Sequence, residues 1–122
     1  MTLKEIFIKS KIKNQDEEIV FEGKGVWNLE NNSIQYQDKL ALLTIFLEDN
    51  IMLRETEDSI LSYKFKENTK SNFEVFLKDT KQAGFVPMET FAIKKDNHYY
   101  EVTYQIEGNN FKHHYQVEWQ EI

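Results

Sequence analysis

Hydrophobicity in this chain alternates with a period of two, segment after segment, between short clusters of Asn, Asp and Gly. Ile6, Ile8 and Ile12 alternate with Phe7, Lys9, Lys11 and Lys13. Leu61, Tyr63 and Phe65 alternate with Ser62, Lys64 and Lys66. Tyr100, Val102, Tyr104 and Ile106 alternate with Glu101, Thr103, Gln105 and Glu107. Phe111, His113, Tyr115, Val117 and Trp119 alternate with Lys112, His114, Gln116 and Glu118. A period of two puts each set on one face of an extended strand. The turn clusters fall at residues 14–16, 31–32, 38–39, 49–50, 57–58, 68–72, 79–84, 96–97 and 108–109. Asn, Asp and Gly tolerate the positive φ that tight hairpins require. That many strands in 122 residues predict an antiparallel meander. Closure removes sticky edges, so such a meander curls shut. The expected fold is all-β, a single antiparallel up-and-down β-barrel of about eight to ten strands. Residues 1–122 read as one domain, with no repeat or linker to divide them.

Charge and composition narrow the function classes. Fifteen basic residues face 21 acidic ones, a net charge of −6. A nucleic-acid or anionic-membrane binder shows the opposite excess, so neither partner is expected. There are no cysteines, which excludes disulfides, thiolate metal sites and thiol catalysis. No apolar run approaches the roughly 20 residues of a membrane-spanning helix. The N-terminus reads as a strand with no signal-peptide cleavage site. A cytoplasmic protein without cofactors is the expectation.

The run at residues 38–47 is ambiguous. It fits a short helix capped by Asp38, or a strand apolar on both faces. As a strand, it turns Leu42 and Phe46 away from Leu43, Ile45 and Leu47. A neighbouring segment or a second subunit must then cover Leu42 and Phe46.

The candidate motifs are mostly structural. Gly23 and Gly25 lack the following helix that a phosphate loop needs. They read as same-face glycines that let a strand bend or let another side chain approach closely. His113 and His114 face opposite sides of one strand and cannot share an ion. With three histidines and no cysteines, no metal is expected. The stripe Lys9, Lys11 and Lys13 reads as protection against edge pairing. Arg54 is the only arginine. Its planar fork suits a carboxylate, from a ligand or from a structural partner such as Asp38. Tyr63, Tyr100, Tyr104 and Tyr115 fall on the apolar faces of their strands. Tyrosine combines an apolar ring with a polar tip, which suits an amphipathic ligand or a filled, hydrogen-bonded core.

The order of these features resembles the DUF1934 family of YwiB-like proteins. The resemblance spans nearly the whole chain. It rests on Phe21-Glu22-Gly23, on Ile34-Gln35-Tyr36-Gln37-Asp38, and on residues 44–54 ending in Arg54. Thr80 to Gly84, Thr90 and residues 101–107 continue it. The chain departs from the family at Thr56, where a glycine is usual, and in the proline-free turn ending at Gly84. The resemblance implies a calycin-like, lipocalin-type barrel, and it makes residues 38–47 a strand. It implies no activity.

Three functions follow as expectations. The first is a non-enzymatic barrel binding a small amphipathic or apolar ligand in its interior. Tyr63, Tyr100, Tyr104, His113 and Tyr115 line it, with Arg54, Tyr36 and Asp38 at the rim. The second is an interaction module with a filled core, a homodimer or partner-binding domain using Leu42 and Phe46. The third, an enzyme with His113 as general base, lacks a nucleophile and oxyanion donors at any recognisable spacing. No catalytic residue is therefore assigned.

Overall fold

The computed structural model describes residues 2–122 and contains ten strands. They are β1 (Leu3–Asn14), β2 (Glu17–Asn28), β3 (Ser33–Gln37), β4 (Leu42–Phe46) and β5 (Ile51–Glu55). They continue as β6 (Ser59–Lys64), β7 (Thr69–Leu77), β8 (Gln82–Asp96), β9 (Tyr99–Ile106) and β10 (His113–Glu121). Each pairs antiparallel with its sequence neighbour, and β1 pairs with β10 to close the barrel. The all-β expectation holds, and residues 42–46 are a strand. No helix of the structure is long and apolar enough to cross a membrane.

One expectation needs correction. β1 is hydrogen-bonded on both sides, by β2 and by β10, so Lys9, Lys11 and Lys13 guard no edge. They coat the outer wall, where Lys9 lies 4.0 Å from Glu22. Full closure has already removed the edge that a lysine stripe protects elsewhere.

The turn chemistry is largely as the Asn clusters suggest. Asn32, Asn50 and Asn68 all carry positive φ, near 50–57°. His98 and Lys81 do so too; histidine is enriched in that region among non-glycine residues, as asparagine is, and lysine is not. An up-and-down path sorts the connections by end. Residues 15–16, 38–41, 56–58, 78–81 and 107–112 gather at one end, called the open end because its inward residues Ile12, Phe21, Leu61 and Ile106 stay partly exposed. Residues 29–32, 47–50, 65–68 and 97–98 gather at the other, with the start of β1 and the end of β10.

Register fixes which side chains point inward, because opposite partners share a face. Ile6, Ile8 and Ser10 face Gly25, Gly23 and Phe21. Leu43 and Ile45 face Tyr36 and Ile34 on one side, and Arg54 and Met52 on the other. Tyr100, Val102 and Tyr104 face Val117, Tyr115 and His113. Ile6, Ile8, Ile34, Leu43, Ile45, Val102 and Val117 are fully buried. Gly25 is needed where β2 meets β3. A Cβ there would lie 2.7 Å from the Gln35 carbonyl oxygen and 2.3 Å from Ile8 Cδ1. At Gly23 the Phe21 ring folds into the space a side chain would take. Both glycines therefore admit a close neighbour, one of the two roles read from the sequence.

Candidate functional site

The middle of the barrel is occupied by its own rings. Tyr36 and Tyr115 meet hydroxyl to hydroxyl at 2.7 Å. Tyr63 stacks on Phe73 with centroids 4.7 Å apart, and Tyr104 lies 5.6 Å from Tyr63. Phe65 packs 5.2 Å from Tyr104. The Tyr100 hydroxyl donates to Asn50 Oδ1 at 3.3 Å. Tyr100 and Tyr115 are each 1% exposed, so these two line no open space. Burial sets the acidity of the group. It pushes Tyr36 up to about 12, against bonds with Ser10 and Tyr115 and the positive field of Arg54. Burial also raises Tyr63, Tyr100, Tyr104 and Tyr115. All five hydroxyls stay protonated across the physiological range.

The two ends differ. At the end carrying the start of β1 and the end of β10, aromatic rings form a plug. Trp27 and Trp119 meet edge to face at 5.9 Å, and His98 stacks on Trp119 at 5.8 Å. Trp27 Nε1 donates to Asn32 Oδ1 at 3.1 Å. Lys95 Nζ donates to the Leu47 carbonyl at 2.7 Å. A cleft of about 280 Å³ lies beside this plug.

At the open end, Ile12, Phe21, Leu61 and Ile106 are only half-buried while still packed on the core. Phe21 stacks on Tyr36 at 5.2 Å. Among these apolar groups stands Arg54, which faces inward opposite Leu43 and Leu61. Its Nε is buried and has no hydrogen-bond acceptor. Beyond burial, the first influence on Tyr63 is the positive field of Arg54, and that field reaches Tyr104 as well. His113 completes this region. Its ring stacks on Tyr104 at 5.2 Å, and Nε2 lies 3.3 Å from Asn109 Nδ2. Burial lowers its pKa, so neutral imidazole is favoured near neutral pH.

The structure brings together Arg54, Tyr36, Tyr63, Tyr104 and His113, and it corrects the role given to Asp38. Asp38 is buried, but its Oδ1 accepts from the Leu40 and Ala41 amides at 2.8 Å each. It caps its own turn. Arg54 forms no ion pair within 4 Å among the described residues. Leu42 and Phe46 point outward and are half-buried. A cleft of about 600 Å³ lies near Leu42, bounded by Gln37, Glu55 and Lys78, outside the barrel wall.

Two inward groups escape the sequence reading. Ser10 is buried and bonds to Tyr36. Lys95 faces inward because a bulge between Thr90 and Ala92 shifts the alternation by one residue. Simple alternation from Met88 and Thr90 points Lys94 inward instead. Among the described residues, no three His, Asp or Glu side chains group as metal ligands.

No family model matches the chain. No curated protein matches it in sequence. Among solved structures it is similar to the YwiB protein from Bacillus subtilis, with a TM-score of 0.62 at 12% identity. The match covers 98% of this chain and 93% of that one. The likeness is one of fold.

Proposed function

We propose that this chain is a YwiB-like barrel that binds a small amphipathic ligand at its open end and catalyses no reaction. The observation that carries the reading is the half-buried apolar ring of Ile12, Phe21, Leu61 and Ile106 around inward polar groups. Ligand sites in β-barrels are commonly mouths with apolar walls and a few converging polar groups. The packed tyrosines below form the floor of the site, which differs from a ligand lying deep in the interior. His113 bonds to Asn109 and stacks on Tyr104, with no nucleophile hydrogen-bonded to it among the described residues. This supports binding over catalysis.

The test is a titration with N-phenyl-1-naphthylamine, a neutral fluorescent probe of apolar sites. Saturable, blue-shifted emission is expected, and Leu61→Lys should weaken binding at least tenfold. Absence of saturable binding, or binding indifferent to Leu61→Lys, contradicts the proposal.

A second reading rests on the outer wall. Phe46 and Ile51 lie opposite one another, with Leu53, Ile60 and Phe76 half-buried on the same face. Phe85, at the end of the row containing Leu53, is 68% exposed. Exposed apolar patches of this kind mark interaction surfaces. A homodimer through this wall should sediment as a dimer at micromolar concentration, and Phe46→Asp should return it to a monomer. A wild-type monomer at high concentration contradicts this reading.

A further inference from the structure

We infer that the open end recognises a monoanionic headgroup, a carboxylate on an apolar chain, with Arg54 as the cation that holds it. The inference rests on the binding reading above and names its ligand class. Arg54 is the only arginine in the chain, and pairing with Leu43 and Leu61 directs it inward. Nε is buried with no acceptor. The guanidinium carries five N–H donors and no acceptor, so it can be satisfied only by acceptor groups. Arg54 is half-buried as a residue, so its side chain is reachable from outside, while buried Nε keeps a donor without a partner that an incoming acceptor can satisfy.

Among the described residues no carboxylate of the protein pairs with Arg54, and several are engaged elsewhere. Asp38 accepts two turn amides. Glu5, Glu22, Glu55, Glu101 and Glu121 pair with lysines on the outer wall. A carboxylate suits the planar fork of arginine, which offers two parallel donors. The hydroxyls of Tyr36, Tyr63 and Tyr104 stand within the field of Arg54, and burial keeps them protonated. A protonated hydroxyl can donate to an anion.

Charge balance selects the monoanion. Arg54 is the one arginine available, while Asp16, Glu17, Glu18, Glu57 and Asp58 crowd the turns at this end, and the chain carries a net −6. Lys39, Lys78, Lys81 and Lys112 stand in turns at the same end, but Arg54 is the one inward-facing cation there, and a single inward cation in a chain of net negative charge matches a monoanion better than a dianionic phosphate.

The experiment compares decanoate, decanol and decyl phosphate by displacement of N-phenyl-1-naphthylamine from wild type, Arg54→Met and Arg54→Lys. Wild type should prefer decanoate to decanol by at least tenfold, and decanoate to decyl phosphate. Arg54→Met should lose the preference for decanoate while binding decanol within about twofold of wild type. Arg54→Lys should recover only part of the preference, because lysine lacks the fork. Arg54→Met should also melt no lower than wild type without ligand, which shows that the variant folds. Equal binding of decanoate and decanol by wild type overturns the inference and leaves the binding reading standing. A preference retained in Arg54→Met, or tighter binding of decyl phosphate, also overturns it. Failure of all three compounds and of the probe itself overturns the binding reading as well.

Discussion

Gly25→Val is expected to cost more than about 3 kcal/mol and to open the barrel between β2 and β3. A Cβ at this position would sit 2.3 Å from Ile8 Cδ1, 2.7 Å from the Gln35 carbonyl oxygen and 3.2 Å from Tyr36 Cβ. Ile8 is fully buried, so its end methyl has little room to retreat. The Gln35 oxygen belongs to the backbone, and moving it means moving β3. That seam is short. Only Val26, Trp27 and Asn28 pair with Gln35, Ile34 and Ser33, whereas β1 and β2 pair along their full length. Displacing β3 also disturbs Tyr36, whose hydroxyl is tied to Tyr115 across the interior.

The other glycines provide controls. Gly84 has nothing within 4 Å of an added Cβ, and Gly84→Ala should leave stability within about 0.5 kcal/mol. Gly23 would meet only the Phe21 ring, which can swing toward the open end, so Gly23→Ala should fall between the two. Urea unfolding followed by circular dichroism ranks them. Gly25→Val within 1 kcal/mol of wild type contradicts the account of the seam.

The second large effect is alkaline unfolding. Burial raises the pKa of Tyr36, Tyr63, Tyr100, Tyr104 and Tyr115, with Tyr36 pushed up to about 12. In the unfolded chain a tyrosine titrates near 10. Between these values the folded chain holds protons that the unfolded chain has released, so stability falls as pH rises. The stabilisation is fully present below about pH 10 and disappears through the folded pKa. Each group contributes a slope of up to about 1.4 kcal/mol per pH unit. Five together approach roughly 7 kcal/mol per unit, comparable with the whole stability of a small domain.

Tyrosinate absorbance at 295 nm should therefore stay low through pH 10 and rise steeply above it. The rise should coincide with loss of the strand signal in circular dichroism. Smooth ionisation of all six tyrosines near pH 10 in a folded barrel contradicts a packed, dry interior.

The strands and the inward tyrosines were legible in the sequence for one reason. Apolar and polar residues alternate cleanly at Leu61 to Lys66, Tyr100 to Glu107 and Phe111 to Trp119. Where alternation fails, so does the reading. Residues 40–47 are apolar on both faces, so period alone could not separate strand from helix. Ile51-Met52-Leu53 precede Arg54 without alternation, so its inward direction came from pairing with Leu43 and Leu61. The bulge after Thr90 carries Lys95 inward, and nothing local in Phe91-Ala92-Ile93 announces it. Whether tyrosines line a space or fill it depends on ring distances between strands far apart in sequence. Tyr36 and Tyr115 are 79 residues apart, and no local pattern reports that they touch. The pairing suggested between Arg54 and Asp38 failed because Asp38 lies two and three residues before amides that compete for the same oxygen.

The most direct test of the binding site is a heteronuclear NMR titration of the labelled protein with decanoate. The account predicts saturable shifts centred on Ile12, Phe21, Arg54, Leu61 and Ile106, with Trp27, His98 and Trp119 at the plugged end unmoved. Shifts centred on that plug or on the outer wall at Phe46 and Phe85, or no saturable shifts at all, would contradict it.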